Sequence, residues 1–285
     1  MLIVGLLVVL GAVLGGFIMA GGKVAVLIQV AEIVVIVGAA TGSILVGNKP
    51  SFLGHLVKEV MGLLKPSPYT KAAYMNLLKM MFNLFNVARR DGLLALESHI
   101  ERPEESDLFK RCPELLADHH ALAFFADSTK VVLTGAVAPH DLMEMMEIDV
   151  DIFGNEVTHA AHVVQHTGDA MPGFGIVAAV LGVIITMGSI GGDPASIGHH
   201  VAAALVGTML GVLLAYGIVG PIGQAMLDRA KQRVQFMHCI RYALFSFARG
   251  ESPITCVEFA RRNIDPEIRP SFTEMETEVR KKDAA

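Results

Sequence analysis

The amino-acid sequence predicts an all-α polytopic membrane protein with four transmembrane helices and a helical cytoplasmic domain. Of its 285 residues, 53% are hydrophobic and 18% are charged, with a mean hydropathy of +0.52, whereas soluble proteins carry about 25% charged residues. Four stretches of roughly twenty residues hold almost no charge, and this length crosses a hydrocarbon core about 30 Å thick. Elsewhere apolar residues recur at helical spacing, and no alternating strand pattern of comparable length is present.

The first two predicted spans occupy residues 1–20, which have no charged side chain, and residues 25–47, which have only Glu32. A cleaved signal peptide is the alternative for the first stretch. That stretch lacks a basic leading segment, and its apolar run exceeds the roughly 7 to 15 residues usual for a signal peptide, so we expect a membrane anchor. Residues 170–191 and 201–222 contain no Asp, Glu, Lys or Arg and are the other two spans.

These spans divide the chain into four segments. Residues 1–48 form a peripheral transmembrane hairpin, residues 49–169 a cytoplasmic helical loop, residues 170–222 a second transmembrane hairpin, and residues 223–285 a cytoplasmic helical tail. Neither soluble segment has the strongly basic balance of a nucleic-acid-binding surface. Apolar residues at helical spacing indicate helices in the loop, at Tyr74, Leu77, Leu78, Met81, Phe85 and Ala88, and in the tail, at Ala230, Val234, Met237, Ile240 and Leu244.

The distribution of Lys and Arg predicts the orientation. Of the 23 basic residues, 22 fall in the loop with its leading Lys49 or in the tail, and only Lys23 lies between the first two spans. Because Lys and Arg accumulate in cytoplasmic loops, we expect both termini in the cytoplasm. Cys112, Cys239 and Cys256 are odd in number, irregularly spaced and on that same side, which predicts free thiols.

Few residues in the soluble segments suggest chemistry. His159, His162 and His166 fall at i, i+3 and i+7, which permits a metal site in principle, but a solvated helix face is the favoured interpretation. No P-loop, no Gly-x-Ser-x-Gly and no Cys-x-x-Cys is present. We expect neither an enzymatic active site nor a cofactor.

The third and fourth spans each carry a stripe of small residues. Such stripes usually allow close packing of helices in lipid, whereas the hydroxyls of Thr186 and Thr208 on these faces favour a narrow polar path; both interpretations can hold together. The stripes are Pro172, Gly175, Ala179, Gly182 and Thr186 in the third span, and Ala204, Thr208, Gly211 and Ala215 in the fourth.

Prolines and acids mark the ends of the spans. Asp169 and Pro172 stand where the third span is predicted to start, and Gly220-Pro221 where the fourth is predicted to end. A proline in the first turn of a helix and an acid near its N-terminus are also ordinary helix-start signals. An acid inside a span is a functional candidate by default, yet Glu32 lies near the outer end of its span, so snorkelling of its carboxylate to the surface is the favoured interpretation.

Several segments spread over nearly the whole chain form a specific combination: PGFGIVAAVLG at 172–182, VGTMLGVLLAYG at 206–217 with Pro221, ARRDGLLALE at 88–97, Gly15-Gly16, Gly21-Gly22, Ala31-Glu32 and Arg269-Pro270-Ser271-Phe272. Together they resemble the MotA family of flagellar motor stator subunits.

This resemblance implies a multi-pass inner-membrane subunit that forms a homo-oligomeric ring, expected to be a pentamer, around a dimer of MotB. The single MotB span supplies the ion-carrying aspartate, and the second hairpin lines the ion path. Proton flow moves the ring, whose cytoplasmic loop pushes on the rotor protein FliG. The matching positions are Arg89 and Glu97, with Arg90 as a helper, for the rotor; Pro172 and Pro221 for coupling; and Asp169 and Thr208 for the path.

Without the resemblance, Arg89, Arg90 and Glu97 would be interpreted as a solvated helix face. Sodium-driven members of the family carry Thr where this chain has Ala179, so the resemblance implies proton coupling. An ExbB or TolQ type energiser of outer-membrane processes is the nearest alternative, but those proteins have three spans. A stand-alone channel or transporter is more distant, since it should show inverted repeats or interrupted helices.

Overall fold

The computed structural model describes residues 2–188 and 194–281, and within these ranges the chain is helical and contains no strand. The all-α prediction is therefore confirmed. The α-helices are α1 (Leu2–Met19), α2 (Val30–Gly47), α3 (Pro50–Gly62), α4 (Lys71–Asp91), α5 (Glu97–Glu101), α6 (Pro113–Ala117), α7 (His119–Thr134), α8 (Pro139–Gly188), α9 (Pro194–Leu213), α10 (Gly220–Ala248), α11 (Pro253–Arg262) and α12 (Phe272–Arg280).

Four helical stretches of the described chain are long and apolar enough to cross a membrane, as the sequence predicted. They are Leu2–Met19, Val24–Gly47, Pro139–Gly188 and His200–Ala248. The last two are about twice the predicted length, because each continues beyond its apolar part into a polar helix. The predicted turn at 192–200 lies partly outside the described residues.

Pro172 does not start a helix, so the interpretation of this proline as a helix-start signal was wrong. Pro172 lies inside the uninterrupted helix α8, where it removes one N–H group from the hydrogen-bond ladder. Pro221 follows a π-helical turn, Leu214–Val219, and is the second residue of α10. The turns on both sides of each proline keep their own hydrogen bonds, so one missing donor does not end the helix.

The chain forms two compact units. The first comprises Met1–Pro66 and Val157–Asp228, and the second comprises Ser67–Glu156 and Arg229–Ala285. In the first unit α2, α8 and the π-helical turn pack around Ile36, Ala40, Met171, Ala178 and Ala215. Helix α1 has no buried residue, so it lies at the periphery of this unit.

The second unit is built around α4 and α10. All six residues predicted for the core face of α4 are buried, and Phe85 stacks on Phe247 of α10 with ring centroids 4.4 Å apart. The side chain of Thr70 accepts a hydrogen bond from the amide of Ala73 and so caps the first turn of α4. All three cysteines are buried free thiols, as predicted.

Candidate ion path and charged surface

The small-residue stripes of the third and fourth spans pack directly against each other. A Cβ atom on Gly175 would lie 2.9 Å from the carbonyl oxygen of Gly207, and one on Gly211 would lie 2.7 Å from that of Met171. A Cβ atom on Gly182 would lie 3.0 Å from that of Ala204. The backbones therefore approach too closely for larger side chains, and the close-packing interpretation is confirmed.

The hydroxyl groups of the two stripes differ in what they bind. Thr186 is buried, and its hydroxyl donates a hydrogen bond of 2.8 Å to the carbonyl oxygen of Gly182 in its own helix. Thr208 is half-buried and makes no hydrogen bond within residues 2–188 and 194–281. Ala179 is also half-buried, and it presents only a methyl group. The Thr208 hydroxyl is thus left available for an ion or water beside the stripe.

Glu32 lies against the fourth span, with its carboxyl group buried. Its side chain is buried, its Oε2 has no hydrogen-bond partner in the described part of the chain, and this oxygen would be 2.6 Å from a Cβ atom on Gly207. The interpretation that Glu32 snorkels was therefore wrong, because α2 packs along α9 and the missing side chain of Gly207 leaves room for the carboxyl group.

At the other end of these spans, Asp169 and Pro221 lie on adjacent helices. A Cβ atom on Gly168 would be 3.3 Å from the amide nitrogen of Gly220, so α8 and the start of α10 meet at this level. Asp169 and Pro221 are exposed and Pro172 is half-buried. Asp169 and Pro221 each follow directly after one of the two glycines that meet here.

Arg89 and Glu97 are exposed and lie on either side of a short turn in the second unit. Helix α4 ends at Asp91, Gly92 adopts a φ of +91°, a conformation that favours glycine, and a 3₁₀ turn over Leu93–Leu96 leads into α5. Neither Arg89 nor Glu97 forms an ion pair or hydrogen bond with any described residue. These two charges are therefore free to bind a partner.

Arg90 differs from Arg89, because it has a partner in the chain. Its guanidinium donates hydrogen bonds of 2.9 and 2.7 Å to the two carboxylate oxygens of Asp91, and this ion pair lowers the pKa of Asp91. Arg89 lines a cavity of about 610 Å³ together with Phe85, Phe247 and Glu251. Arg89 therefore borders this cavity, whereas Arg90, which is paired with Asp91, does not line it.

The three histidines at i, i+3 and i+7 do not form a metal centre. His159, His162 and His166 are exposed on α8. Among the residues that the structure describes, no three His, Cys, Asp or Glu side chains are arranged to hold a metal ion.

Sequence reasoning missed an ion pair of the second unit that buries the carboxylate of Asp118 against the half-buried Arg233. Arg233 donates hydrogen bonds of 2.9 Å from Nε and Nη2 to the two carboxylate oxygens of Asp118, and the Tyr69 hydroxyl donates another of 2.8 Å. Burial raises the pKa of Asp118, but these donors and the charge of Arg233 outweigh it and lower the pKa to about 2. Because Tyr69 and Arg233 lie 49 and 115 residues from Asp118, no local pattern reveals this network.

Two family models and several curated proteins match this chain. Residues 3–92 match the family described as "Motility protein A N-terminal", and residues 117–238 match the "MotA/TolQ/ExbB proton channel family". Motility protein A of Escherichia coli K12 is 38% identical over 280 residues, which is 98% of this chain and 95% of that protein. Chemotaxis protein LafT of Vibrio parahaemolyticus is 37% identical over 272 residues, 95% of each chain.

Two solved structures share the fold. The C. jejuni MotAB structure aligns with a TM-score of 0.76 at 21% sequence identity, over 95% of this chain and 98% of the other. The flagellar MotAB stator complex from Bacillus subtilis aligns with a TM-score of 0.75 at 20% identity, over 94% and 97% of the two chains.

Proposed function

The chain belongs to the motility protein A family, and we propose that it is a flagellar motor stator subunit that conducts protons together with a MotB partner and converts the flow into torque. The observation that carries this proposal is the pair of closely packed spans beside a free Thr208 hydroxyl, in a chain 38% identical to a curated motility protein A. One charge crossing about 150 mV releases roughly 3.5 kcal/mol, enough to drive a conformational step.

A partner supplies the ion carrier in this proposal. Residues 170–191 and 201–222 have no Asp, Glu, Lys or Arg, so the third and fourth spans themselves carry no acid or base that can pass a proton across the membrane. The two structural neighbours are MotAB complexes. A MotB dimer with an aspartate in its single span, inside a homo-oligomeric ring of this chain, completes the path, and a pentamer is the ring we expect.

Around that carrier, this chain provides the wall and the exit. Thr208 offers its hydroxyl to the path, while Asp169 accepts the proton at the cytoplasmic mouth and passes it to water. Pro172 removes one donor from the hydrogen-bond ladder of α8, and Pro221 lies in the first turn of α10, directly after the π-helical turn. A helix bends most easily where a donor is missing, so we assign these prolines to coupling ion movement to the helices that continue beyond the membrane.

The exposed charges of α4 and α5 contact the rotor in this proposal, with FliG as the partner. Arg89 and Glu97 have no intramolecular partner, and opposite charges on a rotor surface can therefore bind them without breaking an existing ion pair. Arg90 is already held by Asp91, so we assign it a supporting role.

Co-purification and proton flux test the proposal as a whole. We expect the full chain, expressed with a single-span MotB partner, to purify as a complex and to acidify the lumen of vesicles when a proton gradient is imposed. A partner variant with Asn at its membrane aspartate should assemble but conduct no protons. Conduction by this chain without any partner would instead favour a stand-alone channel. If the chain assembles with the partner subunit of an ExbB or TolQ type energiser and does not assemble with MotB, that alternative would be favoured.

Charge reversal tests the rotor surface separately. We expect Arg89→Glu or Glu97→Lys to reduce swimming strongly while the amount of assembled complex is unchanged, because exposed charges rarely change folding free energy by more than about 0.5 kcal/mol. Lys110→Glu, an exposed charge elsewhere in the second unit, is the control and should swim normally. A compensating reversal on the rotor should restore part of the speed. Loss of the Arg89→Glu protein from the membrane would show a structural role instead.

A further inference from the structure

A second cavity, of about 460 Å³, opens in the first unit where α2 ends and α3 begins. Its wall includes Asn48, Lys49, Phe52, His55 and His159. Three of these residues carry basic side chains, and no acidic side chain of the described residues lines the cavity. The cavity is therefore suited to a negatively charged group.

The wall of this cavity is held in place by specific contacts. Asn48 donates a hydrogen bond of 2.9 Å from Nδ2 to the carbonyl oxygen of Ile44, which turns its Oδ1 toward Nε2 of His159, 3.3 Å away. The ring of Phe52 lies between the two histidines, with centroid distances of 5.1 Å to His159 and 6.3 Å to His55. Lys49 is exposed and forms no ion pair with any described residue, so its ammonium group is available.

The cavity lies at the boundary between apolar and polar surface. On one side, Leu45 and Val46 in the last turn of α2 are 48% and 91% exposed, as expected for side chains that face acyl chains. On the other side, α3 buries Leu56 but leaves the apolar side chains of Val57 and Met61 more than half exposed. A helix with such an exposed apolar stripe is typical of one that lies in the plane of the membrane interface.

We propose that this cavity binds the phosphate-bearing headgroup of an anionic phospholipid. The Lys49 ammonium and the imidazoles of His55 and His159 contact the phosphate group, and the acyl chains run along Val46 and the apolar stripe of α3. Anionic lipids are abundant in the cytoplasmic leaflet, where each nearby Lys or Arg contributes about 1 kcal/mol to their attraction. The site is separate from the ion path and does not depend on the proposed function.

Native mass spectrometry of the full chain, purified with its partner subunit in mild detergent, tests this site. The complex is mixed with phosphatidylglycerol or with phosphatidylethanolamine of the same acyl chains. The site variant is Lys49→Gln/His55→Gln/His159→Gln. Its matched control is Lys58→Gln/His162→Gln/His166→Gln, which changes one Lys and two His on α3 and α8 at exposed positions that do not line the cavity.

We expect the wild-type protein and the control to retain phosphatidylglycerol equally and the site variant to lose at least about five-fold in affinity, with weak phosphatidylethanolamine binding throughout. Equal losses in the two triple variants, or equal binding of both lipids to the wild-type protein, would overturn the proposal. If 10 mM inorganic phosphate displaces the lipid, the site binds free phosphate, and the proposal that it binds a lipid headgroup is overturned. If the site variant does not assemble, Lys49→Gln alone replaces it, and unchanged lipid binding by that variant counts against the site.

Discussion

At the scale of single residues, two buried carboxyl groups have opposite surroundings. Asp118 accepts hydrogen bonds from Arg233, Tyr69 and the amides of His120 and Ala121. The Oε2 atom of Glu32 accepts none from the described residues. A buried polar group that is fully bonded stabilises the fold, whereas one left without a partner calls for another explanation, such as an ion or water. We therefore assign Asp118 to stability and keep Glu32 as a candidate beside the ion path.

Removing the charge of Asp118 should destabilise the second unit. Asp118→Asn removes the charge that the half-buried guanidinium of Arg233 binds, and losing a charged hydrogen-bond partner at such a site costs about 1 to 3 kcal/mol. We expect a lower midpoint in urea unfolding of the purified protein, followed by circular dichroism. Asp127→Asn is the control, since the Asp127–Lys130 pair is more than half exposed, and it should change the midpoint little. Equal effects of the two substitutions would contradict the assignment.

Acid should remove the same stabilisation. The pKa of Asp118 is about 2 in the folded protein, below the value of about 3.9 for an unfolded chain. The contribution is therefore complete above about pH 5 and is lost as the pH falls toward 2. We expect the difference in unfolding free energy between wild type and Asp118→Asn to shrink over that range. A difference that stays constant down to pH 2 would show that the carboxylate charge is not its origin.

At the scale of helices, the contact between the third and fourth spans depends on particular glycines. Gly211→Ala would place a Cβ atom 2.7 Å from the carbonyl oxygen of Met171, and this backbone atom cannot move without separating the helices. We expect little assembled protein from this variant. Gly173→Ala, on α8 with no atom within 4 Å of its Cβ position, should assemble normally. Quantitative blotting of detergent extracts after size exclusion measures both, and normal assembly of Gly211→Ala would contradict the packing.

Gly207→Ala should have an intermediate effect on assembly, because its Cβ atom would meet the end of the Glu32 side chain and not a backbone atom.

The four spans and the core face of α4 were predictable because the absence of charge and the helical period are local properties of the sequence. The passage of α8 through Pro172 and the burial of Glu32 were not predictable in this way. Both depend on which helix packs alongside, and that is a property of the folded chain.

At the scale of the whole molecule, the orientation in the membrane can be tested with single cysteines. All three native cysteines are completely buried, so an impermeant maleimide should react little with the folded protein. Because 22 of 23 basic residues lie on the predicted cytoplasmic side, we expect Lys23→Cys to be labelled in intact cells. Lys110→Cys should be labelled only after permeabilisation. Labelling of Lys110→Cys from outside would reverse the predicted topology.

The identity of the coupling ion follows from how many oxygen ligands the path provides. Sodium must exchange its water shell for several oxygen atoms, whereas a proton needs only an acceptor and a chain of hydrogen bonds. The Thr186 hydroxyl is bonded to its own helix and Ala179 offers a methyl group, so among the described residues of the two stripes only the Thr208 hydroxyl is left to join the carboxylate that we propose for the partner. We therefore predict proton coupling.

Swimming speed in sodium-free medium tests the prediction of proton coupling directly. Swimming should persist in that medium and stop when a protonophore removes the proton gradient. Ala179→Thr alone should not convert the motor to sodium, because the partner's span contributes to the same site, and one added hydroxyl still leaves the ion with too few ligands. A speed that follows external sodium at a fixed membrane potential would overturn the proton assignment, and it would imply that oxygen atoms from the partner complete the shell that this chain leaves open.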